Sequence, residues 1–176
     1  ISATIGNIEQ AKDVLLGNFK SENNGVLIKS NIKKRIQVKS IAPKEIKQMP
    51  WRGHLGINLT TELIPILKKS KSTLIFTNTR SQCELWYQKL LEKMPELAGD
   101  MAMHHGSIDR NIRLWVENAV RNEKIKVVVC TSSLDLGVDF DPVESIVQIG
   151  GPKGVARFIQ RAGRSGHRPK EVSKIY

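Results

Sequence analysis

The sequence predicts an α/β domain built on a doubly wound parallel sheet. Between residues 73 and 149, short continuous apolar runs alternate with longer stretches whose apolar residues recur every three or four positions. The runs are the pattern of strands buried on both faces, and the longer stretches that of helices with one apolar stripe. Polar, loop-like clusters follow the runs, at 77–80, 104–107, 131–133 and 150–154. They therefore fall at the carboxyl ends of the strands, where sheets of this class carry their sites.

The elements follow in order. Residues 1–4 read as the end of a strand. Asn7, with Gln10 three residues on, caps a helix whose stripe is Ala11, Val14 and Leu15 and whose end suits Gly17. Residues 26–28 and 35–41 read as two short strands about a turn at 30–33, a hairpin. Pro43 and Pro50 bound a linker, and a helix from Leu55 or Leu59 to Leu67 is expected to be disturbed by Pro65. A strand at 73–76 precedes a helix that Ser81 and Glu84 open as a capping box. That helix carries Cys83, Trp86, Tyr87, Leu90, Leu91 and Met94 on one side and stops at Pro95. A strand at 101–103 leads to a helix from Ser107 with Ile112, Trp115, Val116 and Ala119 inward; strands at 126–130 and 145–149 and a helix at 155–161 complete the pattern. Trp86 and Trp115 are both expected in the core.

A length of 176 residues suits one full domain with flanking pieces. The net charge of +11 points to a polyanionic partner held through phosphate contacts. The charge clusters: seven Lys or Arg against one acid from Gly151 onward, and Lys29, Lys33, Lys34, Arg35 and Lys39 near the start. Cys83 and Cys130 are the only cysteines and lie in apolar periodic segments. They argue against a disulfide framework or a metal site and fit a reducing cytosol or nucleus, and a cytoplasmic location is expected. No apolar run approaches the length of a membrane span, so no membrane partner is expected. The chain opens on Ile1, and both ends are expected to continue into a longer protein.

Two blocks near the end carry the chemistry: C-T-S-S-L-D-L-G-V-D-F from Cys130 and Q-R-A-G-R-S-G-H-R from Gln160. Absent are a G-x-x-x-x-G-K-[ST] phosphate cradle and an acidic D-E-x-[DH] block to hold magnesium. The two blocks resemble motifs V and VI of superfamily 2 helicases. S-A-T at Ser2 resembles motif III, T-L-I-F-T-N-T-R at Thr73 motif IV, and M-H-H-G-S at Met103 the loop between motifs IV and V. With W-R-G-H-L-G at Trp51 and G-G-P-K-G-V-A-R-F from Gly150, the chain is similar to the Lhr (large helicase-related) group, in particular ligase-associated DEXH-box helicases.

The resemblance implies a RecA-like helicase C-terminal domain at 51–176, connecting strands and linker at 21–50, and the trailing edge of a first RecA-like domain at 1–20. It implies ATP and Mg2+ as cofactors, bound mainly by that first domain, and a single strand of DNA as partner, tracked 3′ to 5′. A DNA ligase or nuclease is the implied protein partner. An RNA helicase domain and a non-catalytic nucleic-acid-binding module are the alternatives.

The resemblance gives Arg164 the role of arginine finger, with Arg161 beside it and Gln160 sensing the phosphate. It also implies that Gly137 and Asp139 approach the nucleotide and that His167 or Arg168 fills an outer basic position. Asp135 reads as a local backbone cap. Small hydroxyls and free N–H groups at Thr77, Asn78, Thr79, Arg80, Thr131 and Ser132, with His105, Gly106, Ser107 and Lys153, suit a nucleic-acid backbone. Of His104 and His105, one is expected inward and one toward the strand. The likeness of S-A-T to motif III implies that Ser2 and Thr4 couple the two domains.

Overall fold

The computed structural model describes residues 5–17, 25–29, 35–42, 56–135, 143–166 and 172–176. Ser2, Thr4, Trp51, His54, Gly137, Asp139, His167 and Arg168 lie outside the described residues.

Among the described residues the chain runs through α1 (Ile8–Leu16), β1 (Ile36–Val38), α2 (Thr60–Lys69), β2 (Thr73–Phe76), α3 (Arg80–Lys93), β3 (Met101–His104), α4 (Arg110–Arg121), β4 (Val127–Cys130), β5 (Ser145–Gln148), α5 (Val155–Ala162) and β6 (Ser173–Ile175). The strands form one sheet in the order β1-β6-β5-β2-β4-β3, with every pairing parallel. This is the doubly wound sheet that the alternation predicts. The chain order β2-β3-β4-β5 is permuted in space, and the sequential neighbours β3 and β4, and β5 and β6, are joined by the crossover helices α4 and α5.

Successive side chains of each strand face opposite ways, so the sheet serves two cores. Leu74, Phe76, Val128, Cys130 and Ile146 point to one side and pack with Val116, Ala119 and Val120 of α4 and Ala162 of α5. Ile75, Val127, Val129 and Val147 point to the other and meet Leu63 and Leu67 of α2 and Cys83, Trp86 and Leu90 of α3. At the entry end of the central strands the Thr73 and Ser145 hydroxyls lie 2.8 Å apart, and Ser145 in turn donates to Ser70 Oγ at 3.0 Å. These polar strand residues are satisfied without breaking the ladder. Burial pushes the Cys83 thiol up to about 12 and raises that of Cys130, so both behave as small core residues.

Several elements differ from expectation for identifiable reasons. The hairpin does not form: residues 26–28 are not a strand, and β1 pairs in parallel with β6. Strand β6 carries no signal at short range; an exposed sheet edge contributed by β5 organises it, and β1 then extends the same sheet. Of the strands expected within 21–50, the one at 35–41 thus joins the sheet as β1. Helix α2 continues through Pro65, whose ring costs it the hydrogen bond to the Thr61 carbonyl without ending it. Helix α3 begins at Arg80 because Thr79, not Ser81, is its cap: the Thr79 hydroxyl accepts from Gln82 N, and Gln82 Oε1 accepts from Asn78 N. Helix α4 begins at Arg110 with Asp109 accepting from the N–H groups of Asn111 and Ile112. The stripe of α1 is exposed, with Val14 75% and Leu15 84% accessible.

Trp115 is the clearest departure. Trp86 is 1% exposed, as expected of a core residue, whereas Trp115 is 61% exposed with Ile112 beside it at 54%. The inward face of α4 is carried by Val116, Ala119 and Val120, one step around the helix from Trp115. Gly56, at φ 75°, turns the chain into α2, and a Cβ there would stand 3.3 Å from the Trp86 ring. No helix among the described residues is long and apolar enough to cross a membrane.

The contrast between the two tryptophans gives a test of this packing. Trp86→Ala should destabilise the domain by about 3–5 kcal/mol, whereas Trp115→Ala should stay within about 0.5 kcal/mol. Urea denaturation of both variants beside the parent domain measures the difference.

Candidate functional site

The carboxyl ends of β2 and β5 lie side by side, Phe76 opposite Gln148. Over them sits the guanidinium of Arg161. It is 1% exposed, and each of its three nitrogens donates a hydrogen bond. Nε donates to Asp135 Oδ1 at 2.7 Å and Nη2 to Oδ2 at 3.2 Å, a bidentate pair. Nη1 donates to Gln148 Oε1 at 2.6 Å, and the ring of Phe76 lies beneath, 4.6 Å from the guanidinium carbon. Arg157 approaches the same carboxylate at 3.5 Å. Asp135 is therefore far more than the backbone cap the sequence suggests, although its N–H does close a short turn onto Ser132 O.

Arg164 lies one turn beyond Arg161. Its Nη2 donates to the Asp135 carbonyl at 2.9 Å. Partial burial lowers its affinity for a proton, and the nearby Asp135 carboxylate opposes that shift. A guanidinium stripped of water in this way favours an anion beside it. The backbone around it is held: Arg164 N donates to Arg161 O at 2.9 Å, and Arg164 O accepts from Val143 N at 3.1 Å. Ser165 is buried against β6, its carbonyl accepting from Ser173 Oγ at 2.6 Å. Gly166, at φ 63°, lets the chain turn away, where a Cβ would press on the Val172–Ser173 backbone at 3.3 Å. Local packing thus accounts for the glycine in R-S-G. Of the two arginines expected to face phosphate, Arg161 is committed to the interior and Arg164 stands at the margin. Gln160 is half-buried on α5.

The loops that follow the strands are tied to one another along the same edge. Asn78 Nδ2 donates to Gly151 O at 3.0 Å, joining the loops after β2 and β5. Arg80 Nη1 donates to Ser107 Oγ, joining those after β2 and β3. Thr131 N donates to His104 O at 3.2 Å, joining those after β3 and β4. Thr79, Arg80, Gly106, Ser107, Ser132 and Lys153 are exposed along this edge, and Asn78 and Thr131 are half-buried.

Two expected contact residues are not available there. Thr77 is fully buried, with its hydroxyl donating to Cys130 O and Thr79 O. His105 is 5% exposed, 3.6 Å from Glu84, and its Nδ1 accepts from Ser107 N. Both histidines therefore turn inward, His105 toward Glu84 with Ser107 N on its ring, and His104 between Ser133 and Glu117. His104 is held between Ser133 Oγ at 2.7 Å from Nδ1 and Glu117 Oε1 at 3.1 Å from Nε2.

Residues the sequence left without a role in the site are Gln148, Phe76 and Glu117. Their only signals are a polar or aromatic side chain at the end of a buried strand and an acid on the inward half of a helix.

A family model described as "helicase conserved C-terminal domain" matches residues 56–168. The chain is 33% identical, over 99% of its length and 20% of the relative's, to the ATP-dependent helicase Lhr-Core of Sulfolobus acidocaldarius. It is 30% identical to the Lhr helicase/uracil glycosylase of Escherichia coli over 69% of the chain and 10% of that protein. Among solved structures it resembles helicase Lhr of Mycobacterium smegmatis bound to ssDNA and AMP-PNP, with a TM-score of 0.66 and 27% identity over 81% of this chain and 19% of that one. It also resembles the helicase MrfA bound to DNA and AMPPNP, with a TM-score of 0.70 and 25% identity over 99% of this chain and 24% of that one. The chain spans about a fifth of the length of the curated Lhr-Core relatives it matches.

The His104 cluster predicts a pH dependence. Burial lowers the His104 value below its ordinary 6.5, an effect only partly offset by Glu117. The unfolded chain then binds a proton near 6.5 that the folded chain takes up only at lower pH. The resulting stability is present above 6.5 and is lost as pH falls through the lowered folded value. The slope is at most about 1.4 kcal/mol per pH unit. His104→Gln should flatten it, which urea denaturation at pH 5.5 and 7.5 would reveal as a smaller difference than in the parent.

Proposed function

The chain belongs to the helicase conserved C-terminal domain family, and from that premise we propose that it is the second motor domain of an ATP-dependent Lhr-type helicase acting on single-stranded DNA. The carrying observation is the placement of Arg164: a partly desolvated guanidinium at the edge of the sheet, held by the Asp135 carbonyl. Such a group suits charge that spreads over a phosphoryl group in transfer, where a finger arginine is worth about 10³–10⁵ in rate. ATP with Mg2+ supplies the phosphoryl chemistry. This chain contributes the guanidinium, with Gln160 beside it, and no phosphate cradle of its own. His167, Arg168, Gly137 and Asp139 remain assigned to the nucleotide side by sequence resemblance alone.

The edge formed by Asn78, Thr79, Arg80, Gly106, Ser107, Thr131, Ser132 and Lys153 is the surface for the strand. Hydroxyls, backbone N–H groups and two long cations contact phosphate without reading bases. The ssDNA named with the Mycobacterium smegmatis neighbour supports DNA over RNA, and 3′ to 5′ movement follows the family resemblance. In the whole protein, Ser2 and Thr4 would link this domain to the first motor domain.

The finger reading is tested in the full-length protein. Arg164→Ala should reduce ATP turnover about 10³-fold or more while nucleotide and strand affinity stay near the parent, because the group acts on charge that develops in the transition state. Thr131→Ala should instead weaken strand affinity and the stimulation of turnover by DNA. His167→Ala and Arg168→Ala, made separately, identify the outer basic position by which one lowers turnover. Near-normal turnover in Arg164→Ala would refute the assignment.

The isolated chain should bind single-stranded DNA weakly, with affinity falling steeply from low to physiological salt and little sequence preference, and should show no ATP turnover. Fluorescence anisotropy with matched DNA and RNA strands, beside a phosphate-release assay, measures both. Salt-insensitive or sequence-selective binding, or turnover by the chain alone, would count against this reading.

A further inference from the structure

We propose that Asp135 is a positioning residue for the guanidinium of Arg164, its carboxylate fixing helix α5 through Arg161 while its carbonyl oxygen receives Arg164 directly. The inference rests on the reading of Arg164 as the finger. Asp135 touches that group through two independent routes. Through the side chain, the bidentate pair with Arg161 sets where the end of α5 lies, and Arg164 N is bonded to Arg161 O at 2.9 Å. Through the main chain, Asp135 O accepts from Arg164 Nη2 at 2.9 Å. With the Arg164 carbonyl also held by Val143 N, little freedom remains except in the side chain, and the Asp135 carbonyl restrains its far end.

The same short turn presents Thr131 and Ser132 on its outer side and closes with Asp135 N donating to Ser132 O. Five residues therefore join the proposed strand-contact edge to the finger, so a displacement of the turn moves the acceptor of Arg164. The plainer role is charge compensation: Asp135 is 5% exposed and Arg161 1%, so each neutralises the other. The two roles make different predictions. Compensation is satisfied when both charges are removed; positioning is not, because the fork geometry is lost with them.

The test uses the full-length protein and follows kcat and KM for ATP in the presence of single-stranded DNA, with thermal unfolding alongside. The pair Asp135→Asn and Arg161→Gln, made together, should fold with an unfolding temperature close to the parent. Its KM should stay within about twofold while kcat falls about 10- to 100-fold, the loss expected of a misplaced catalytic group. Asp135→Glu keeps the charge and moves the carboxylate by one methylene. It should lower kcat several-fold at unchanged KM, and it covers the case in which the paired variant does not fold. In an Arg164→Ala background either change should cause no further loss of kcat. Full kcat in a folded paired variant or in a folded Asp135→Glu would overturn the proposal, as would losses that multiply with that of Arg164→Ala. Failure of the finger reading is recognised separately, by near-normal turnover in Arg164→Ala alone.

Discussion

A carboxylate and a guanidinium, both nearly out of reach of water, meet in a two-point hydrogen bond between Asp135 and Arg161. Two charges are expensive to bury and recover that cost only when geometry is good and every remaining donor is used. Here Arg161 spends its third nitrogen on Gln148 and its face on Phe76. Removing one partner would leave an uncompensated buried charge, at a cost of about 3–5 kcal/mol. Such a pair adds little net stability over an apolar contact, but it tolerates only one arrangement. That arrangement joins the turn after β4, the ends of β2 and β5, and the end of α5.

The parallel sheet explains why those parts can meet. Parallel strands all deliver their carboxyl ends to one edge, so loops distant in sequence become neighbours. Asn78 reaches Gly151, Arg80 reaches Ser107, and Thr131 N reaches the carbonyl of His104. The side chains tied in this way serve the scaffold as well as the surface. Thr79 caps α3 while standing exposed at the edge, and Thr77 is wholly given over to bonds with Cys130 and Thr79. A hydroxyl in a loop motif is therefore not automatically a contact for a ligand.

Apolar side chains also remain at the surface: Ile112 and Trp115 on α4, Val155 and Ile159 on α5. On α5 they lie on the side away from Arg157 and Arg161, giving the helix one apolar and one cationic face. Relatives some five times longer than this chain carry much further protein besides the matching segment.

What the sequence alone determined was the alternation of strands and helices, the placement of polar loops at one sheet edge and the separation of Arg161 from Arg164 by one helical turn. These are short-range properties, set by apolar period, capping residues and glycine, and they are legible because each depends on neighbours a few residues away. The family was legible for a related reason: its motifs are the loop sequences themselves. Tertiary structure alone decided the rest. Strand β6 is too short to announce itself, and β1, legible as a strand, takes β6 and not residues 26–28 as its partner because the sheet offers it an edge. Trp86 and Trp115 have the same local pattern, but only one meets a neighbouring helix and the sheet. His104 and His105 both turn inward because Glu117, Ser133 and Glu84 come to meet them across other elements. Asp135 and Arg161 are 26 residues apart in the chain, and no local rule relates them. Their pairing exists only because the turn after β4 and the end of α5 arrive over the same two strand ends.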